Sequence, residues 1–230
     1  MADILQGLQE AILFEDSRFL VLNKPSGMAV HGGSGLSHGV IECLRALRPD
    51  APYLELAHRL DRDTSGCLVV AKRRSALRAF QKQQQDRRVI KCYLALVKGK
   101  WAGGNRKINA ALMKEEPKTG ERVVRVHPQG KKAISLFSPL QRFEQASLMR
   151  VQLITGRTHQ IRVHARHSGH PIAGDAKYGD VAFNRDMVEL GLDRLYLHAE
   201  LIRFTLPEVG GYDIRAPLDP ALEGLLARLY

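Results

Sequence analysis

At 230 residues the chain has room for one large domain or two small ones. Its 44% hydrophobic and 26% charged residues match ordinary folded proteins and exclude a disordered tail, a collagen-like repeat or a coiled coil. Lys and Arg number 35 against 24 Asp and Glu, a net charge of +11, and such a field draws polyanions, nucleic acid first among them. Apolar runs such as Phe19 to Leu22, Cys67 to Ala71 and Tyr93 to Val97 fall far short of the ~20 residues of a membrane helix. The start at Met1, Ala2 and Asp3 lacks a secretory pattern. The three cysteines, Cys43, Cys67 and Cys92, lack zinc-knuckle spacing. A cytoplasmic protein with free core thiols is expected, and with no linker or repeat in view residues 1–230 read as a single domain.

Ile12 to Glu15 and Phe19 to Asn23 read as two short strands, closed by the turn chemistry of Lys24-Pro25-Ser26-Gly27. Val40, Cys43, Leu44 and Leu47 recur at helical spacing up to Pro49. Cys67 to Ala71 forms an apolar strand, and Arg73 to Asp86 an amphipathic helix with Ala76, Leu77 and Phe80 on its inner side. Val89 to Val97 alternates, with Ile90, Cys92, Leu94 and Leu96 on the apolar face and Tyr93 on the other. Further strands are predicted at 122–127, 133–137, 148–154 and 195–199, with a late pair around 207–211. Leu222, Leu225, Leu226 and Leu229 supply a closing helix. Strands grouped in this way, and not regularly interleaved with helices, predict an α+β fold with a mixed, largely antiparallel sheet and packed helices.

The positive charge is concentrated. Lys72 to Lys100 holds ten basic residues and one acid, Asp86, as a polyanion track requires; a solvated face serving solubility is the alternative. Aromatics at 6% favour folded nucleic acid over a single-strand stacking platform.

Two segments carry candidate chemistry. His58-Arg59-Leu60-Asp61-Arg62-Asp63-Thr64-Ser65-Gly66 is a polar loop between apolar elements, with two carboxylates among arginines. For Asp63 and Thr64 a turn that bonds only its own backbone is an equal reading. Thr155-Gly156-Arg157-Thr158-His159-Gln160-Ile161-Arg162-Val163-His164 follows a strand and opens a helix with Thr158 as the expected N-cap, placing His159, Arg162 and Arg166 on one face. Cations in the first turns oppose the helix dipole, so an anion is expected against Arg162. His159, His164, His167 and His170 lack metal-motif spacing, and His31-Gly32-Gly33-Ser34-Gly35 lacks the context of a nucleotide loop. No metal or cofactor is expected.

Over nearly its whole length the sequence resembles the RluA family of pseudouridine synthases. The resemblance rests on Leu22-Asn23-Lys24-Pro25-Ser26-Gly27, on the two segments above, and on Lys91-Cys92-Tyr93-Leu94-Ala95, Gly169-His170-Pro171-Ile172 and Leu197-His198-Ala199. Val30 to Leu36 with Ala46-Leu47-Arg48-Pro49 is most similar to members acting on the large-subunit RNA of bacterial ribosomes, 23S rRNA. The resemblance implies a pseudouridine synthase fold with a central cleft, an isomerase acting on RNA as a monomer without cofactor, and no membrane association. It implies that Asp61 attacks the nucleoside, that Tyr93 packs on the base and is a candidate for the final proton removal, and that Arg162 pairs with Asp61. Ile161 would help hold the base, Arg59 would enter the RNA in place of the extruded nucleotide, and Arg157 and His159 would contact substrate. Those members carry an S4 RNA-binding domain before the catalytic one, and none is expected here ahead of Ile12. A noncatalytic RNA-binding module and a metal-dependent nuclease built on the histidines stand as rival readings.

Overall fold

A computed structural model of the chain describes residues 2–32, 38–115, 123–206 and 210–230. The chain divides into two compact units, each assembled from two separated segments: Met1–Lys91 with His198–Leu218, and Cys92–Leu197 with Asp219–Tyr230. The predicted glycine-rich stretch at 33–35 and the first residues of the late strand pair, 207–209, lie outside the described residues.

The first unit opens with α1 (Ala2–Glu10), β1 (Ile12–Glu15) and β2 (Phe19–Lys24). Asp16 makes the β1–β2 turn, because its carboxylate accepts the amides of Arg18 and Phe19 at 2.7 and 2.6 Å. In α2 (Val40–Leu47), Glu42 reaches back to the amides of Gly39 and Gly32, supplying the partners that the first turn of a helix lacks. β3 (Glu55–Leu56) and β4 (Ser65–Ala71) follow, then α3 (Arg74–Gln85). β11 (Leu197–Leu206), all but its first residue, and β12 (Gly210–Arg215) complete the unit. β4 pairs antiparallel with β2 and β3, and parallel with β11 through Ser65 and Gly66. Every residue of β4 is buried, which is why it reads as an unbroken apolar run and not as an alternation. The core of this unit is aromatic: Phe19, Phe80, Phe204 and Tyr212 meet edge-on or stacked, with centroids 4.6 to 6.3 Å apart.

The second unit is built on β5 (Ile90–Lys98), which crosses into it after Lys91, β10 (Ala146–Leu153), β9 (Ile134–Arg142) and β6 (Arg106–Asn109), antiparallel in that order. β7 (Leu112–Glu115) and β8 (Val123–Val126) form a separate hairpin. α4 (Gln160–His167) lies against β8 and β9, and α5 (Val181–Glu189) and α6 (Pro220–Arg228) are capped by the carboxylates of Asp180 and Asp219. Leu112, Val124, Ala133, Val163 and Tyr178 form a compact cluster under α4.

The α+β class and the largely antiparallel pairing agree with the sequence reading. Three predictions need correction. Thr158 does not cap α4; His159 does, in the left-handed conformation with φ 53°. The face expected to carry His159, Arg162 and Arg166 is not uniform, since Arg162 is buried and Arg166 is exposed. Nor does β5 keep a less apolar face for Tyr93. Cys92 through Val97 are buried on both sides of the strand, and Tyr93 is only 7% exposed. The sequence reading also passed over α1, α5, β3, β6 and β7.

Candidate functional site

The Asp61 loop is held at nearly every residue in the first unit. His58 Nε2 accepts the Val69 amide at 3.1 Å, and its ring stacks on Phe80 at 6.0 Å. Burial, with the nearby Lys91 ammonium, pushes His58 well below the usual imidazole range, so it stays neutral and able to accept that bond. Burial also pushes the Lys91 amine down to about 8. Leu60 is buried, whereas Arg59 between these two anchors is exposed. Asp61 opens a tight turn that the Thr64 amide closes onto its carbonyl at 3.2 Å.

That turn is pinned from behind by the segment after β2. Lys24 is fully buried, and its Nζ donates to the carbonyls of Pro25, Met28 and Arg62 at 2.8, 2.7 and 2.9 Å. Ser26 Oγ donates to the Asp63 carbonyl at 2.8 Å, and Arg62 Nε returns a bond to the Gly27 carbonyl at 3.0 Å. A buried ammonium is tolerable only when its protons are satisfied; here one of the three ties the backbone just after Asp61 to the end of β2. The Lys24-Pro25-Ser26-Gly27 segment is thus a clamp. Its sequence signal is the Lys-Pro-Ser-Gly turn itself.

Beyond the turn, β4 starts with Ser65 and Gly66. Ser65 Oγ lies 2.8 Å from His198 Nδ1, while His198 Nε2 lies 3.0 Å from the Ala216 carbonyl. The carbonyl can only accept, so Nε2 carries a proton, and in the neutral ring Nδ1 accepts from the serine. Gly66 has φ 108°, and a Cβ there would stand 2.3 Å from the Ala199 carbonyl oxygen. Only glycine lets β4 and β11 approach so closely.

In the second unit the start of α4 is organised by side chains. Gln160 Oε1 accepts from the Arg157 amide at 3.0 Å and from Thr155 Oγ1 at 2.7 Å, and its Nε2 donates to Ile134 O and Ser135 Oγ. Arg157 is exposed, with its Nε on the Lys132 carbonyl at 3.1 Å. Ile161 is buried. Asp175 supplies an anion against Arg162: Nε and Nη2 each meet a carboxylate oxygen at 2.8 Å, and both residues are buried. Burial works to raise the Asp175 pKa, but the Arg162 bonds and the amides of Tyr178 and Lys177 outweigh it and hold the carboxyl below its usual range. Tyr178 joins His159 and Arg162. Its ring lies 5.0 Å from the guanidinium, and its hydroxyl accepts the Val124 amide at 3.0 Å and lies 2.8 Å from His159 Nδ1. Tyr93 stands on β5 opposite Val151 of β10.

Asp175 and Tyr178 were missed from the sequence, where Gly174-Asp175-Ala176-Lys177-Tyr178 carries no motif; only the dipole argument pointed to such a carboxylate. Of the histidines weighed as metal ligands, His164 is buried between Ser135 Oγ and the Ala110 carbonyl, each at 3.0 Å. Among the described residues no group of three or more His, Cys, Asp or Glu is arranged to hold a metal ion.

With these arrangements in view, comparison with known proteins is informative. The family profile described as RNA pseudouridylate synthase matches residues 18–167. The ribosomal large subunit pseudouridine synthase C of Pasteurella multocida (strain Pm70) is 57% identical over 223 residues, covering 96% of this chain and 68% of that protein. The protein of the same name from Escherichia coli (strain K12) is 53% identical over 225 residues, covering 96% and 70%. Among solved structures, human RNA pseudouridylate synthase domain containing 4 superimposes with a TM-score of 0.81 at 26% identity, over 99% of this chain and 95% of that one. Human RNA pseudouridylate synthase domain containing 1 gives 0.78 at 27%, over 94% and 86%. Matched in sequence from β2 to the end of α4 and in fold almost throughout, the chain belongs to the RNA pseudouridylate synthase family.

Proposed function

We propose that this enzyme converts uridines of the large-subunit ribosomal RNA, 23S rRNA in bacteria, to pseudouridine, acting in the cytoplasm as a monomer and without a cofactor. The observation that carries the substrate assignment is the identity above 50% over 96% of the chain with the two bacterial relatives whose names specify the large ribosomal subunit.

The overall change is an isomerisation. The bond from the base nitrogen N1 to C1′ of the ribose breaks, the base turns, and a bond from C5 to C1′ forms. A proton leaves C5 and one joins N1, so no electrons are exchanged with a partner. Asp61 is the proposed nucleophile, which gives covalent catalysis from an ionised carboxylate. Tyr93 and Arg162 are the other proposed catalytic residues, Tyr93 packing on the base and a candidate for taking the C5 proton. A stacked uridine must first be flipped out at a cost of a few kcal/mol, and a side chain that fills the gap offsets part of it. Arg59 is proposed for that insertion, which its exposure between the anchored His58 and the buried Leu60 supports. Ile161, Arg157 and His159 are proposed to contact the substrate.

The test is Asp61→Asn, which keeps the size and removes the charge. Pseudouridine detected by carbodiimide and primer extension in ribosomal RNA should disappear while RNA binding survives. Isomerisation by the variant would overturn the assignment.

A further inference from the structure

The cationic surface of α3 is placed against the interest of the helix that carries it. Arg73 is the N-cap and Arg74 the first helical residue, with no acid in the first turn, so two cations face the positive end of the helix dipole. Arg74, Arg78 and Lys82 follow at intervals of four, a spacing at which like charges repel. At the other end the amides of Arg87 and Arg88 bond the carbonyls of Gln84 and Gln83 in the 5→2 and 6→1 manner of a helix stop. The left-handed residue of that stop, normally glycine, is Arg87 with φ 57°.

Among the described residues little compensates for these choices. Arg73, Arg74, Arg78, Lys82, Arg87 and Arg88 are all exposed. Among the described residues only Lys82 has a carboxylate partner, Asp86 at 3.2 Å. Cations held at a local loss, five of the six without a carboxylate partner among the described residues, point to an external one.

Its chemistry follows from the spacing and from what is missing. Cations four residues apart stand ~6 Å apart along the axis, which suits a ligand with repeating negative charge better than one isolated phosphate. The exposed residues from 73 to 88 include no aromatic side chain, so bases cannot stack there. They do include Ser75, Gln81, Gln84 and Gln85, donors suited to phosphate oxygens and ribose hydroxyls. We infer that the exposed face of α3, continued through Arg87 and Arg88, is a docking track for the sugar-phosphate backbone of an RNA stem beside the target uridine. This rests on the reading above that the substrate is structured RNA.

The test compares the wild-type chain with the triple variant Arg74→Gln, Arg78→Gln, Arg87→Gly. The probes are a synthetic RNA hairpin with a uridine-bearing loop and an unstructured oligouridine of the same length, and the dissociation constant of each is followed against KCl concentration. On the hairpin the slope of log affinity against log salt should shrink by about 2 to 3, near 0.9 for each lost phosphate contact, and affinity should fall roughly tenfold or more in physiological salt. On oligouridine the slope should change by less than about 1, and the variant should melt no lower than the wild type. An unchanged hairpin slope in a well-folded variant would reduce the face to a device for solubility. Equal losses on both probes would overturn the stem as the ligand. Failure of the wild type to bind either RNA would instead sink the substrate reading of the preceding section.

Discussion

Asp175 has to be ionised for Arg162 to keep its place. Because the folded protein lowers its pKa below the ordinary 3.8, the pair contributes stability that is fully present above that value and is lost as the pH falls through the lowered one. Asp175→Asn takes the bidentate carboxylate away from a buried guanidinium, a change that costs about 3–5 kcal/mol. Urea unfolding at pH 7 should show that loss, and the gap between variant and wild type should narrow as the pH is taken below about 4. A variant as stable as the wild type at neutral pH would mean that Asp175 is not the anion that holds Arg162. The residue scale also marks the limit of sequence reading here. The helix dipole pointed to an anion beside Arg162 and the resemblance named Asp61 for it, but Asp175, thirteen residues away, gave no local signal. Lys24 stood in plain view, yet a lysine at the end of an apolar strand gives no sign that three carbonyls will close around it.

Among the elements, β4 and β11 meet backbone to backbone at Gly66. Gly66→Ala would place a methyl against the backbone of Ala199 at a φ that side chains avoid. The unfavourable backbone alone costs more than about 1 kcal/mol, and the overlap adds to it. Thermal unfolding should report a clear drop in midpoint; a variant with an unchanged midpoint would show that the strands can part without loss. Elements legible in the sequence were those with clean periodicity, such as β1, β2, α2, α3 and α6. Others were hidden for physical reasons. β9, expected to stop at Phe137, runs on to Arg142; a proline argues against a strand, and Pro139 is accommodated where the β9–β10 register shifts near Met149. In α5 the outward-facing Val181 and Val188 blur the apolar stripe. Tyr93 was expected on a strand face less apolar than its opposite, but both faces of β5 are covered from Cys92 to Val97.

For the molecule as a whole, the order of segments matters. The first unit is completed only by residues 198–218, which arrive after nearly all of the second has been made. The contacts that finish it therefore span well over a hundred residues, and such closures are slow to form. A chain ended after Leu197 would lack β12 and nearly all of β11, depriving Phe19 and Phe80 of Phe204 and Tyr212. Far-ultraviolet circular dichroism during a urea titration should show this fragment losing the cooperative transition of the intact chain; a sharp transition would mean that residues 1–91 hold together unaided. The Lys24 cage has a consequence of its own. Its amine resembles an ion in a crown ether, enclosed by oxygens and shut off from bulk solvent. Acylating reagents can reach that nitrogen only during an opening of the strand end, so the rate of its chemical labelling is a clock for how often the loop bearing Asp61 lets go.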